Sequence, residues 1–305
     1  MYDQKKVLFL KVLTPLHAGS GTDIRSVDLP IQREVHTGYP KIESSTIKGC
    51  LRDTFEFNDK NKNNNNDHEI INAIFGEEGA SELSAVAIAI TDARLLFFPV
   101  RSAKGIYALI TCPMVIKRFQ NDMESFGVKN KICIPSDAPA LASENNILSL
   151  DNNAGKYSIL LDEFRYDIGK SPDFERCCND LKHYIGLTED IAERAVLLPD
   201  DDFKDFVTHA TSIVTRIKIG NNGVVENKAL FTEEYLPEES ILYSFIMMSD
   251  AKLDSKPDSK EPKYKAPELM GFFSDKLPPV FQIGADATLG KGFVMTYLKG
   301  GDTND

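Results

Sequence analysis

The chain has 305 residues, 42% of them hydrophobic and 27% charged, with no tryptophan and a formal net charge of -11. That length supports one large α/β domain or two modest ones with a buried core. The acidity argues against a protein held on nucleic acid by bulk charge, and leaves room only for a basic groove on an otherwise acidic body.

An apolar run from Val7 to Leu13, interrupted by Lys11, predicts a covered central strand over residues 6–14. Thr14-Pro15 ends it. A glycine turn, His17-Ala18-Gly19-Ser20-Gly21-Thr22, opens a loop to residue 43 that is too long for a mere connector. Ser44 or Ser45 is placed to cap a helix over residues 46–57. Ile47, Leu51 and Phe55 share the face that should meet the sheet, and Lys48 and Arg52 share another. Gly49 weakens that helix, which points to close packing or backbone approach there. Residues 58–67, NDKNKNNNND, predict a mobile surface insertion.

Ile70, Ile71, Ile74 and Phe75 predict a short helix ending at Gly76, and residues 84–98 one or two strands. A turn at 102–105, a strand over 106–111 and a helix entered through Pro113 follow. The passages 6–57 and 84–126 share a strand-then-helix layout, as in a duplicated plan, without matching residues. Residues 134–155 are loop-rich; a strand over 156–164 and helices over 174–185 and 203–206 come next. Two β-type runs flank Gly220-Asn221-Asn222-Gly223 and predict a hairpin over 211–231. Arg216 and Lys218 alternate with Ile217 and Ile219, giving a basic and an apolar face: a solvated edge, or an arm that meets a phosphate backbone. A strand over 241–248, a Lys/Asp/Ser/Pro-rich mobile insertion at 249–266, a helix over 267–273 and a glycine-rich loop at 284–292 between two strands complete the chain.

Five cysteines, Cys50, Cys112, Cys133, Cys177 and Cys178, lack CxxC spacing and read as reduced thiols of a cytoplasmic protein. His17, His36, His68, His183 and His209 show no metal-site spacing. No signal peptide and no bilayer-length apolar run is apparent. The 284–292 loop lacks P-loop spacing, yet its backbone N–H groups with Lys291 are expected to suit phosphates. Taken singly, Asp28 is a turn residue and His17 a satisfied polar group at a strand end.

Four early runs carry more when read together: Leu13-Thr14-Pro15-Leu16-His17-Ala18-Gly19-Ser20-Gly21, Val27-Asp28-Leu29-Pro30-Ile31-Gln32-Arg33-Glu34, His36-Thr37-Gly38-Tyr39-Pro40 and Ser44-Ser45-Thr46-Ile47-Lys48-Gly49-Cys50-Leu51-Arg52. They resemble the backbone subunits of type III-B CRISPR effectors, within the RAMP (repeat-associated mysterious protein) superfamily. The resemblance continues through Leu230–Pro237 and closes at Ile283–Gly292.

The resemblance implies an α+β fold, a ferredoxin-like or RRM-like RAMP palm spanning residues 1–305 as a single domain, with insertions and the 211–231 hairpin as a thumb. It implies several copies stacked head to tail along a CRISPR guide RNA with other effector subunits, and no membrane. Complementary target RNA would be cut about every six nucleotides beside a flipped nucleotide, by attack of its own 2′-hydroxyl. Cleavage would need a divalent ion, Mg or Mn, and Asp28 would be the catalytic residue, as general base or as ligand of that ion, with His17, Glu233 and Tyr235 near it. Ser45, Lys48, Arg52, Arg25, Arg33, Arg216, Lys218 and the Gly290-Lys291-Gly292 loop would hold RNA. The rival expectations are a guide-binding scaffold that does not cut and a guide-processing endoribonuclease.

Overall fold

The computed structural model describes residues 2–22, 27–60, 65–76, 86–128, 132, 140–152, 155–219, 225–251 and 262–300. In chain order the elements are β1 (Gln4–Val12), β2 (Lys41–Ile42), α1 (Ser44–Lys60), α2 (Asn65–Phe75), β3 (Ile88–Ile90), β4 (Ala93–Ser102), β5 (Ile106–Thr111) and α3 (Pro113–Ser125). Then come β6 (Leu141–Ala142), β7 (Leu150–Asp151), β8 (Tyr157–Leu161), β9 (Phe164–Lys170), α4 (Pro172–Ile185), β10 (Ala195–Leu197) and α5 (Asp200–His209). The last are β11 (Ser212–Ile219), β12 (Val225–Tyr235), β13 (Ile241–Met248), α6 (Ala266–Lys276), β14 (Val280–Gln282) and β15 (Phe293–Gly300).

One mixed sheet runs β14-β15-β1-β13-β4-β5-β10-β6-β9-β8-β7, and β11 and β12 form a separate two-stranded sheet. β1 is central: it pairs antiparallel with β13 and with β15, which explains its apolar run. Phe9 meets Phe119 of α3 and Tyr184 of α4 edge-on, at 5.9 and 6.0 Å. On the alternate face Lys6 reaches Ser274 of α6. Lys11, the one interruption, is buried and bonded to Glu189 at 2.7 Å and Glu239 at 3.0 Å. Burial pushes its pKa down, and those two carboxylates outweigh the effect and hold it above the usual lysine value.

The predicted inward face of α1 is confirmed. Ile47, Leu51 and Phe55 are buried, and Phe55 stacks on Phe273 of α6 at 5.4 Å and packs edge-on against Phe75 of α2. The helix start differs from expectation, because Ser44 and Ser45 lie inside α1. Asp92 does the capping: its carboxylate accepts from the Ser44 N–H at 2.9 Å and pairs with Lys41 at 2.8 Å.

Of the insertion expected at 58–67, residues 58–60 belong to α1 and 65–67 to α2, and residues 61–64 lie outside the described ones. Ionic ties that composition does not reveal hold these ends: Asp67 pairs with Lys276 of α6 at 2.6 Å, and His68 lies 3.7 Å from Asp59. The edges of the 249–266 insertion are also ordered. Ala251 bridges to Tyr264, and Asp250 accepts from the Ala266 N–H at 2.7 Å; residues 252–261 lie outside the described ones. The hairpin extends beyond its expected end, with β12 continuing through Thr232 to Tyr235. Its Asn/Gly turn at 220–224 lies outside the described residues.

Candidate functional site

Residues 28–33 follow the edge of β12 that β11 leaves open. The Leu29 N–H donates to the Thr232 carbonyl and the Glu234 N–H to the Leu29 carbonyl, both at 3.0 Å. The Ile31 N–H donates to the Glu234 carboxylate at 3.0 Å. This zipper puts Asp28, which is exposed, at the base of the hairpin. Asp28 Oδ2 accepts from the Thr232 backbone N–H at 2.7 Å and from its hydroxyl at 2.8 Å. The Asp28 N–H in turn donates to Thr232 Oγ1 at 3.0 Å. The Thr232 backbone N–H first, and then its hydroxyl, hold the Asp28 carboxyl below its ordinary pKa, so it stays ionised through the neutral range.

Successive side chains of a strand face opposite ways, so Glu233 and Tyr235 leave β12 on the side away from Thr232. They build a buried cluster. The Tyr235 hydroxyl lies 2.6 Å from Glu233 Oε2 and 2.5 Å from Asp286 Oδ2, and takes an N–H from Arg216. It has one proton to give, so it serves one carboxylate at a time; Arg216 pairs with both, at 3.2 Å to Glu233 and 3.0 Å to Asp286. Its neighbours push the Tyr235 hydroxyl pKa up, burial most strongly.

His17 packs edge-on against Tyr235 and is only 5% exposed. Its Nδ1 lies 2.7 Å from the Glu234 carbonyl, which can only accept, so Nδ1 carries a proton and Nε2 faces Glu233 at 3.7 Å. Among the described contacts none joins Asp28 to His17, Glu233 or Tyr235. The expected catalytic quartet is therefore one exposed carboxylate and a buried network behind it.

The glycine loop also departs from expectation. Several of its N–H groups are engaged within the protein: Ala285 on His17 O, Gly290 on Ala287 O, Lys291 on Asp286 O and Gly292 on Pro15 O. The Gly290, Lys291 and Gly292 N–H groups are therefore not aimed at a phosphate. Gly284 and Gly292 are required by packing, because a Cβ on either would lie 2.2 Å from His17 O or 2.1 Å from Ile283 O. Lys291 leans on the Tyr235 ring at 5.5 Å.

The expected RNA-holding cations divide in the same way. Arg33 is turned inward, onto Glu234 at 2.5 Å and the Gly38 and Val207 carbonyls, and the half-buried Arg216 belongs to the Tyr235 cluster. Arg25 and the Lys218 side chain lie outside the described residues. Ser45, Lys48 and Arg52 stay together on the outer side of α1. Burial, and then the Arg52 charge, push the Lys48 pKa down, while Arg52 pairs with Glu56 at 2.6 Å. Gly49 between them is exposed, and a Cβ there would meet nothing within 4 Å, so internal packing does not explain it.

Gln32 ties this helix to the Asp28 segment: its amide donates to the Gly19 carbonyl and to Thr46 and accepts from the Glu43 N–H at 2.7 Å. The Gly284 N–H donates to Cys50, so the glycine loop joins the same surface.

Asp28 offers one carboxylate toward a metal, and among the described residues no group of three His, Cys, Asp or Glu could hold one. The described side chains alone do not fit a resident divalent-ion site. Sequence reasoning missed Thr232, Glu234 and Asp286. Thr232 and Glu234 stand inside a run it had marked, and period-two alternation along that run separates Thr232 from Glu233.

The description RAMP superfamily matches residues 9–295. The chain belongs to the RAMP superfamily. Within it, this RAMP protein is 40% identical over 299 residues to the CRISPR system Cmr endoribonuclease Cmr4 of Pyrococcus furiosus, covering 95% of this chain and 94% of that one. It is 25% identical to the CRISPR system CMR subunit Cmr4 of Saccharolobus solfataricus, covering 82% of this chain and 86% of that one. The crystal structure of oligomeric Cmr4 from P. furiosus superposes with a TM-score of 0.72 at 33% identity, over 98% of this chain and 99% of that one. A type III-B Cmr-beta complex bound to cognate target RNA contains a chain with the same fold, at a TM-score of 0.72 and 21% identity, over 97% of this chain and 98% of that one. Among the described residues of this RAMP protein no helix is long and apolar enough to cross a membrane.

Proposed function

We propose that this chain is the repeating backbone subunit of a type III-B CRISPR effector, cytoplasmic, and that it cuts complementary target RNA about every six nucleotides, next to a nucleotide displaced from the guide–target duplex. The single observation that carries this reading is the 40% identity, along nearly the whole chain, to a Cmr endoribonuclease. The fold supports it. β15-β1-β13-β4 are neighbours in that order, joined by antiparallel pairings, and α1 and α6 connect β1 toward β4 and β13 toward β15, the plan of a ferredoxin-like palm. The β11–β12 hairpin is the thumb. Its outer apolar residues Ile217 and Leu230 are directly paired and 53% and 67% exposed, a surface suited to lie against bases.

In this reading Ser45, Lys48 and Arg52 hold the guide backbone at the start of α1, with Gly49 letting a phosphate approach the helix. Asp28 meets the target. Its carboxylate accepts the 2′-hydroxyl hydrogen bond and lines O2′ up on the phosphorus; the proton leaves O2′ toward Asp28 as the O2′–P bond forms, and the 5′-oxygen departs with the electron pair of its broken bond to phosphorus and takes a proton from solvent water. A depressed pKa makes Asp28 a weak base and a dependable acceptor, so alignment is its larger contribution. The buried His17, Glu233 and Tyr235, with the half-buried Asp286 and Arg216, fix the hairpin base. A divalent ion, Mg or Mn, would be held in the RNA-loaded assembly by Asp28 together with RNA oxygens, which is checked by cleavage after chelation and re-addition.

The test assembles wild-type chain with guide RNA and the other effector subunits and supplies labelled complementary RNA. The reading expects a ladder of evenly spaced products. Target bound without cleavage would support a scaffold instead, and cutting of precursor guide by the lone chain would support a processing enzyme.

A further inference from the structure

Among the described residues one holds the Asp28 carboxylate, and it belongs to the hairpin. Thr232 both gives and receives: its backbone N–H and hydroxyl donate to Oδ2 at 2.7 and 2.8 Å, and its hydroxyl oxygen accepts the Asp28 N–H at 3.0 Å. This closed pattern fixes the side-chain torsion of Asp28 as well as its position. The charged groups nearby are engaged elsewhere: Glu234 pairs with Arg33, and Glu233 faces the Tyr235 cluster. The lowering of the Asp28 pKa comes from Thr232 and from the backbone N–H of Asp28, with no described charged side chain among its causes. Thr232 stands opposite Thr215, one cross-strand step beyond the exposed Ile217–Leu230 pair and on the same face.

We propose that Thr232 is the positioning residue of Asp28, so that the hairpin which engages the guide–target duplex also sets where the cutting carboxylate stands. This deepens the cleavage reading and rests on it. A hairpin displaced from the duplex carries Asp28 with it, so cutting is tied to correct engagement of the hairpin without a second sensor.

The experiment uses the assembled effector with a guide and labelled complementary RNA, in single turnover, with Thr232→Val, Thr232→Ser, Thr232→Ala and Asp28→Ala chains. Valine removes the hydroxyl while suiting an edge strand. The T232V complex is expected to bind target within about twofold of wild type and cut about tenfold more slowly at neutral pH, the scale of a misplacement under 1 Å. Its acid limb should move up toward the ordinary carboxylate range. T232S should return to within about threefold of wild type, and T232A repeats the test where valine disturbs the hairpin. T232V and T232A cutting at the wild-type rate with an unmoved acid limb would overturn the role of Thr232 while an inactive D28A upheld the cleavage reading. A D28A complex that cut normally would overturn that reading itself.

Discussion

Gly284→Ala probes the contact that locks the glycine loop onto the His17 turn. Gly284 has φ +85°, and an added Cβ would fall 2.2 Å from His17 O, 2.8 Å from His17 C and 3.3 Å from Ala18 N, all backbone atoms that no rotamer change can move. The left-handed conformation costs an alanine about 1–2 kcal/mol. Forced displacement of packed backbone adds about 1–3 kcal/mol. Loss of the 2.9 Å bond from the Ala285 N–H to His17 O adds about 1 kcal/mol. The sum is about 4 kcal/mol, which for a chain of this size lowers the melting temperature by roughly 10 °C. Gly290→Ala is the control: φ is +72°, but nothing lies within 4 Å of its Cβ. It should cost only the conformational share, about 1–2 kcal/mol, or a few degrees. Thermal unfolding of the isolated chains by circular dichroism measures both. Equal melting temperatures for the two variants would refute the steric argument and, with it, the placement of the loop on His17.

Other expectations follow from the same geometry. Gly49→Ala should stabilise the free chain by about 0.5–1 kcal/mol, since a Cβ meets nothing there, yet weaken guide binding; unchanged binding would remove the argument for close RNA approach. Asp92→Ala should cost about 1–2 kcal/mol by removing the α1 cap and the Lys41 pair. Burial raises the Asp92 pKa, and Lys41 and the Ser44 N–H outweigh it and lower it. That stabilisation is therefore present above the unfolded carboxylate pKa and lost as pH falls through the folded value, so the melting gap to wild type should close in acid. Lys48→Ala should reduce the slope of guide affinity against salt by about one unit, uniformly across guide sequences, read from binding isotherms at several salt concentrations.

The parts legible in the sequence were those set by local periodicity. The run Val7–Leu10 fixed the central strand, the Ile47-Leu51-Phe55 spacing fixed the buried face of α1, and the alternation of Arg216 with Ile217 fixed the two faces of the hairpin. Long-range partners escaped it. Nothing near Ser44 indicates that Asp92 will cap the helix, and nothing in an asparagine-rich stretch indicates that Lys276 will hold Asp67. Arg33 and Arg216 looked like surface cations because their carboxylates, Glu234, Glu233 and Asp286, are distant in sequence. A glycine-rich loop with a lysine resembles a phosphate cradle until its N–H groups are followed to Ala287, Asp286, Pro15 and His17.

The proposed function turns on the Asp28 carboxylate cutting target RNA. Its most direct test is single-turnover cleavage of labelled complementary RNA by effectors assembled from wild-type and Asp28→Ala chains carrying the same guide. Equal target binding and a product ladder that disappears with Asp28→Ala are expected. A ladder of wild-type rate and spacing from the Asp28→Ala complex would contradict it.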